Sequence, residues 1–402
     1  MKKKRQKRND QQNINKKAKK KQNSDDNNEI ASSIFGTAGG GLSASIFGTP
    51  TNTSTNDLFG NPEQFNKAAN ELKDKNLSSL KEHKDDVPET YTDLEIRKKR
   101  QDRLDSDESK NLINEITVSV PDLSNTTSLD EEDKEDVIRS KINIFSVQCD
   151  RIMRENGVVI IESNQNMIEN KIMKSLTKSA AEIEHDIVTK LREKGHTFEG
   201  DQADESTNFK YHEVASRCLG RLDIRYKMDC DPFDQDEVKC NKYLMPVVKS
   251  LLGKDAELVY AGLILSFPGS ADQPWHQDGH QLFSDEEFSV QQSLPPYALN
   301  VFIPLDDVDV EVGPTEFCVQ SHTRKKAIEI MKKIDKGDET GTNMIGPLLT
   351  TGDALIYDYR VCHRGVKNIS ETKTRPMLYL MYARPWFKEH INFSTEKLFA
   401  NS

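Results

Sequence analysis

Gln273-Pro274-Trp275-His276-Gln277-Asp278-Gly279-His280 is the most informative stretch of the chain. Its core is His-x-Asp, and on an extended strand residues two apart project to the same face, so His276 and Asp278 can reach one metal ion together. The spacing alone is weak, because His83-Lys84-Asp85 repeats it in a segment with no strand pattern around it. The second copy differs in its surroundings. An apolar run over residues 258–267 precedes it and closes in Phe267-Pro268-Gly269. Cys362-His363-Arg364-Gly365 follows 87 residues after His276, just beyond the apolar run Ala354-Leu355-Ile356-Tyr357. His363 is thereby a third candidate ligand at the end of another strand.

Two imidazoles and one carboxylate on one face of a metal leave three coordination positions open, the arrangement associated with non-haem Fe(II) oxygenases. Two of these suit a bidentate 2-oxo acid and one suits dioxygen. The far carboxylate of such a cosubstrate needs a fixed cation. Arg375, twelve residues after His363 at the start of the next apolar run, offers a planar fork that matches it.

Outward from these residues the pattern is mostly strand. Gly157-Val158-Val159-Ile160-Ile161 reads as a buried strand, and Arg221-Leu222-Asp223-Ile224-Arg225-Tyr226 alternates strictly. Further strands are expected over residues 298–305, 315–319, 354–357 and 377–382, and a helix over 167–194 with Gly195 as its stop. Short strands separated by Gly, Pro, Asn and Asp indicate a mainly β sandwich or jelly roll with flanking helices.

The 402 residues are 30% charged and 35% hydrophobic, and they do not form one uniform globule. Residues 1–132 read as a disordered, low-complexity tail of Asn, Ser, Thr, Asp, Lys and Gly, and residues 133–402 as the folded, catalytic domain. Eleven Lys and Arg against the single Asp10 give residues 1–21 a charge of +10, whereas the whole chain carries −10. These clusters fit a two-part nuclear import signal, with an import receptor as partner, an arm that attracts nucleic acid, or plain solubilising charge. Lys98-Lys99-Arg100 reads as solvated charge. Ser33-Ile34-Phe35-Gly36-Thr37 recurs as Ser45-Ile46-Phe47-Gly48-Thr49, a Phe-Gly echo whose plain reading is a linker. No recognition-helix pattern points to specific nucleic-acid reading. No apolar run is long enough to span a bilayer, and no secretory pattern opens the chain. The six cysteines contain no CxxC pair, which fits reduced intracellular thiols in the nucleus or cytoplasm.

The runs His276-Gln277-Asp278-Gly279-His280-Gln281-Leu282-Phe283, Gly313-Pro314-Thr315-Glu316-Phe317, Ser321-His322, His363-Arg364-Gly365-Val366-Lys367-Asn368-Ile369-Ser370 and Arg375-Pro376 resemble the phytanoyl-CoA dioxygenase family. The resemblance covers residues 137–395. It implies a cupin-like double-stranded β-helix, Fe(II) on His276, Asp278 and His363, 2-oxoglutarate on Arg375, and O2 consumption with succinate and CO2 as products. The carboxylate ligand is missing in related halogenases, so Asp278 points to hydroxylation of a C–H bond in a small organic substrate. Two features depart from the pattern. The usual Pro-Gly-Ser-His is Val319-Gln320-Ser321-His322, and the chain closes on Phe399-Ala400-Asn401-Ser402, which is not a peroxisomal Ser-Lys-Leu signal.

Around the ligands, Asn300 is expected on a strand where its amide could bond the 2-oxoglutarate carboxylate or simply satisfy the core. Gln273, Trp275 and His280 are candidate pocket residues, and His322 reads as a structural turn histidine. Arg221, Asp223 and Arg225 form a polar face that could select a polar or anionic substrate, although a solvent-facing edge strand would alternate in the same way. Two other readings are a nuclear oxygenase that modifies a protein or nucleic acid recruited by the tail, and a barrel that binds without catalysis.

Overall fold

The computed structural model describes residues 91–124, 130–164, 167–197, 209–279, 281–282, 294–388 and 393–399. The basic clusters, the Phe-Gly segments and His280 lie outside these residues.

Helix α1 (Asp93–Asp105) opens with a reciprocal cap: Glu95 N donates to Thr92 Oγ1 at 3.3 Å, and Thr92 N donates to the Glu95 carboxylate at 2.7 Å. Helix α2 (Asp107–Glu115) leads into strand β1 (Thr117–Ser119). Helix α3 (Glu131–Asn156), capped by Asp130 and stopped by Gly157 in the left-handed conformation (φ 76°), then crosses to β2 (Val158–Glu162). Strands β1 and β2 pair in parallel, so this unit is a β-α-β crossover. Helix α4 (Asn170–Glu193) buries Ile172, Leu176, Ile183, Ile187 and Leu191, one stripe at helical spacing.

After α4 come β3 (Val214–Cys218), β4 (Arg221–Ile224), the short α5 (Asp236–Lys239), α6 (Leu244–Leu252) and the long β5 (Glu257–Ser266). The chain continues through β6 (Ala298–Pro304), β7 (Thr315–Cys318), α7 (Arg324–Ile334), β8 (Met344–Ile345), β9 (Ala354–Asp358), β10 (His363–Gly365) and β11 (Arg375–Ala383).

The major sheet has the order β1-β2-β9-β6-β11-β5-β4-β3, and the minor sheet the order β10-β7-β8. The two face each other, with Phe317 of β7 against Tyr357 of β9 at 5.2 Å between ring centroids. This is the expected mainly β jelly roll with flanking helices. Strand β11 is buried on both faces, which explains why Met377 to Tyr382 reads as a nearly unbroken apolar run. Strand β4 lies between β3 and β5, so its alternation is that of an interior strand with a polar inner face.

One boundary differs from the sequence reading. Among the described residues the first helix begins at Asp93, ahead of residue 133, and β1 extends the major sheet, with Ile116 and Val120 buried beside it. The cause is the way α1 docks. It buries no apolar stripe and presents arginines three residues apart: Arg97 pairs with Glu311 at 2.9 Å, Arg100 donates to two backbone carbonyls, and Arg103 pairs with Glu316 and with Glu339. Arg100, expected in solvent, is therefore buried.

Candidate active site

His276 and His363 are joined before any metal is considered. Each backbone N–H donates to the other's carbonyl, at 3.0 and 2.9 Å, as an isolated antiparallel bridge. Gly279 N donates to Tyr359 O at 2.8 Å and ties the other end of the motif to the same strand connection. A Cβ at Gly279 would lie 2.1 Å from the Tyr297 hydroxyl, so only glycine fits at that point of the motif.

The side chains converge. Asp278 Oδ1 is 3.9 Å from His276 Nε2 and Asp278 Oδ2 is 3.7 Å from His363 Nε2, and one donor atom from each of the three lies within 4.8 Å of the others. Each imidazole donates its Nδ1–H to a carbonyl two residues back, His276 to Pro274 at 2.8 Å and His363 to Val361 at 3.0 Å. That bond fixes the tautomer and leaves Nε2 as a lone pair facing the carboxylate. Burial, and next the neighbouring His363, push the His276 pKa down to about 4, so its ring is neutral and ready to ligate at pH 7. Asp278 Oδ2 also accepts from Asn300 Nδ2 at 2.8 Å and from the Tyr357 hydroxyl at 2.9 Å.

These residues border a cavity of about 410 Å³ between the two sheets. At one end Arg375 donates to Gly313 O and, at 3.0 Å, to Ser266 Oγ, while Arg221 donates to the same Ser266 Oγ at 2.9 Å and to Val366 O at 2.8 Å. Both guanidinium groups are almost fully buried, and Arg375 Nε and Arg221 Nη1 have no hydrogen-bond partner among the described residues. Burial, together with the charges of Arg221 and Arg100, lowers the Arg375 pKa to about 9. Two buried cations held only by neutral acceptors, with donors left over, form a site for an anion. The donor set and this arginine pair thus fit iron and a dicarboxylate cosubstrate.

Farther along the same sheet, on β3, β4 and β11, lies a wired polar network. Arg217 Nε donates to Asp223 Oδ2 at 3.0 Å, Tyr379 Oη donates to Asp223 Oδ1 at 2.9 Å, and Arg225 Nε donates to the Tyr379 hydroxyl at 3.2 Å. The Arg225 guanidinium stacks 3.6 Å from the centroid of Tyr260.

Several candidates occupy places other than those expected. Asn300 lines the cavity, but its amide is committed to Asp278 and to Tyr357 at 2.9 Å. Arg221 lines the cavity with Asp223 and Arg225 but shares its hydroxyl acceptor, Ser266 Oγ, with Arg375. Trp275 packs away from the cavity, under Arg364 at 4.6 Å and beside Cys318 and Cys362. Gln273 does line it, with its Oε1 accepting from Gly365 N at 3.0 Å. His322 is buried and bonds Arg154 O at 3.2 Å, a structural role. Gln320 takes the left-handed conformation (φ 71°), so the departing Val319-Gln320 pair still makes its turn. Sequence reasoning missed Tyr357, Ser266, Arg217 and Tyr379. Tyr357 and Tyr379 looked like core aromatics, and Ser266 had no visible signal.

Among solved structures the chain is similar to AviO1 from Streptomyces viridochromogenes Tue57, at 18% identity over 60% of this chain and 96% of that one, with a TM-score of 0.41. It is also similar to HygX from Streptomyces hygroscopicus, solved with nickel, 2-oxoglutarate and hygromycin B, at 14% identity over 60% and 87% of the two chains, with a TM-score of 0.39. A third is EctD from S. alaskensis in its apoform, at 16% identity over 62% and 80%, with a TM-score of 0.39. The sequence model of phytanoyl-CoA dioxygenase matches residues 153–377, more than half of the chain, and spans both histidines, Asp278 and Arg375. With this match the chain belongs to the phytanoyl-CoA dioxygenase family and is an Fe(II)- and 2-oxoglutarate-dependent oxygenase.

Proposed function

We propose that the protein hydroxylates a C–H bond of a small organic molecule, with His276, Asp278 and His363 as the iron ligands and Arg375 as the anchor of 2-oxoglutarate. The observation that carries this reading is the convergence of three neutral or anionic donor atoms within 4.8 Å at a cavity that ends in a buried arginine pair. Asp278 favours hydroxylation over halogenation. His276, Asp278 and His363 would all hold the iron, so the carboxylate would occupy the place that a halide needs.

Bound iron and 2-oxoglutarate supply the oxidising chemistry, with succinate and CO2 as by-products. The residues do the rest. Tyr357 and Asn300 hold one oxygen of Asp278 and so fix the carboxylate's orientation. Arg375 and Arg221 would take the far carboxylate of the cosubstrate, with Ser266 aligning both forks. The Arg217–Asp223–Tyr379–Arg225 wall supports a substrate with a polar or anionic group, oriented by hydrogen bonds rather than by an apolar slot.

The test is to supply the Fe(II)-loaded enzyme with 2-oxoglutarate and isotopically labelled dioxygen and add fractions of a metabolite extract. A product that gains one labelled oxygen atom in step with succinate formation is expected. A product that changes without gaining oxygen would assign cyclisation, epimerisation or desaturation instead.

A further inference from the structure

Three buried arginines, not two, converge behind the cosubstrate end of the cavity, and the third comes from outside the segment matched by the family model. Arg100 of α1 is 7% exposed. Its Nη1 donates to Val310 O at 2.8 Å and its Nη2 to Lys367 O at 2.7 Å, so one planar fork spans two loops. The first loop continues to Gly313, whose carbonyl accepts from Arg375. The second contains Val366, whose carbonyl accepts from Arg221 at 2.8 Å.

The two loops are in intimate contact. A Cβ at Gly313 would lie 2.5 Å from Lys367 O and 3.0 Å from Val366 O, and Ile369 N donates to Glu311 O at 2.8 Å. A displacement of one loop therefore moves the acceptors of both cavity arginines. Among the described residues no carboxylate pairs directly with Arg100, Arg221 or Arg375. Their acceptors are the carbonyls of Val310, Lys367, Val366 and Gly313 and the shared Ser266 hydroxyl, all neutral. Asp272 and Glu316 offset part of the charge at Arg100 and Asp272 part of that at Arg221, whereas Arg375 is burdened by the charges of the other two, a repulsion that a bound anion would relieve.

We propose that Arg100 is a positioning residue for the cosubstrate: it clamps the loops that aim Arg375 and Arg221, and it adds a third buried positive charge behind the carboxylate those two bind. This rests on the reading of Arg375 as the 2-oxoglutarate anchor. It makes α1, which precedes the matched segment, a working part of the oxygenase.

The experiment compares 2-oxoglutarate affinity, by anaerobic calorimetric titration of Fe(II)-loaded protein, with Fe(II) affinity and thermal stability. The proteins are the full chain and its Arg100→Gln, Arg100→Lys, Arg97→Gln and Arg375→Gln variants. Arg97 shares the helix but makes an exposed ion pair, so it reports on docking of α1 in general. Arg100→Gln is expected to weaken 2-oxoglutarate binding about tenfold and Arg100→Lys, which keeps the charge but loses the fork, about threefold. Fe(II) affinity should hold in both, and Arg97→Gln should leave both constants unchanged. If Arg100→Gln does not fold, the lysine variant decides by the same readout. Unchanged 2-oxoglutarate affinity, whatever happens to stability, would overturn the proposal, as would an equal loss in Arg97→Gln or a parallel loss of Fe(II) affinity. Arg375→Gln separates the two readings: if it leaves 2-oxoglutarate binding intact, the anchor itself is misassigned.

Discussion

The Tyr357 hydroxyl lies 2.9 Å from Asp278 Oδ2, and Asn300 Nδ2 reaches the same oxygen at 2.8 Å while also bonding the tyrosine at 2.9 Å. A phenol and an amide that meet on one carboxylate oxygen hold it in a single orientation. Removing the phenolic oxygen while keeping the ring should loosen that orientation without opening the core. Tyr357→Phe is therefore expected to weaken Fe(II) binding roughly tenfold with little change in thermal unfolding. Anaerobic metal titration checks this, and unchanged affinity would show that the hydroxyl has no part in holding Asp278.

The arginine pair gives a second expectation. Arg375→Gln should raise the KM for 2-oxoglutarate about a hundredfold, because a buried, forked, charge-assisted contact is lost. Gly365→Ala should act on the same constant from a distance. Its Cβ would fall 1.9 Å from Arg221 Nη1, forcing that guanidinium away from Ser266. Steady-state kinetics that vary only the cosubstrate would read both effects.

Acid should destabilise the metal-free protein through His322. Burial lowers its pKa, with Asp358 opposing the shift and Arg360 adding to it, and its Nδ1 has no partner that could accept an added proton. The folded state thus binds fewer protons than the unfolded state below the usual histidine value of ~6.5, and stability falls as pH falls through that value. Thermal unfolding between pH 7.5 and about 5 should show this slope, to which the lowered pKa of His276 also contributes, and His322→Gln should reduce it even though the variant is less stable overall.

Two truncations should behave differently. Removal of residues 1–89 takes away none of the described elements, and turnover is expected to stay within about twofold. Removal of residues 1–130 strips α1, α2 and β1, and with them Arg100 and the buried Ile116 and Val120. The apolar loss alone costs roughly 1.5–3 kcal/mol for each of those two side chains. The longer deletion should show a lower melting temperature and weaker cosubstrate binding.

The jelly roll, the cluster of His276, Asp278 and His363 and Arg375 are legible in the sequence because apolar runs mark the strands and these polar residues stand at or just beyond their ends. Residues 221–226 alternate visibly and the first four of them form β4, and the run at 377–382 does lie in β11. What stays illegible follows one physical rule: roles set by partners distant in sequence leave no local pattern. Helix α1 docks by arginines onto carbonyls and carboxylates more than 200 residues away, so no apolar period marks it. Asn300 looks the same in sequence whether it faces a cosubstrate or an aspartate, and Trp275, beside a ligand, gives no sign that it turns under Arg364. Tyr357 reads as one more apolar position of a strand, although its hydroxyl holds the Asp278 carboxylate.

The most direct test of the account is succinate formation from 2-oxoglutarate by anaerobically Fe(II)-loaded full-length protein when O2 is admitted, with His276→Ala and Arg375→Ala in parallel. The account predicts O2-dependent succinate from the wild type and background levels from both variants, with Fe(II) binding lost in His276→Ala and kept in Arg375→Ala. Succinate formation that survives either substitution, or iron-loaded wild type that never consumes 2-oxoglutarate with or without a metabolite extract, would contradict it.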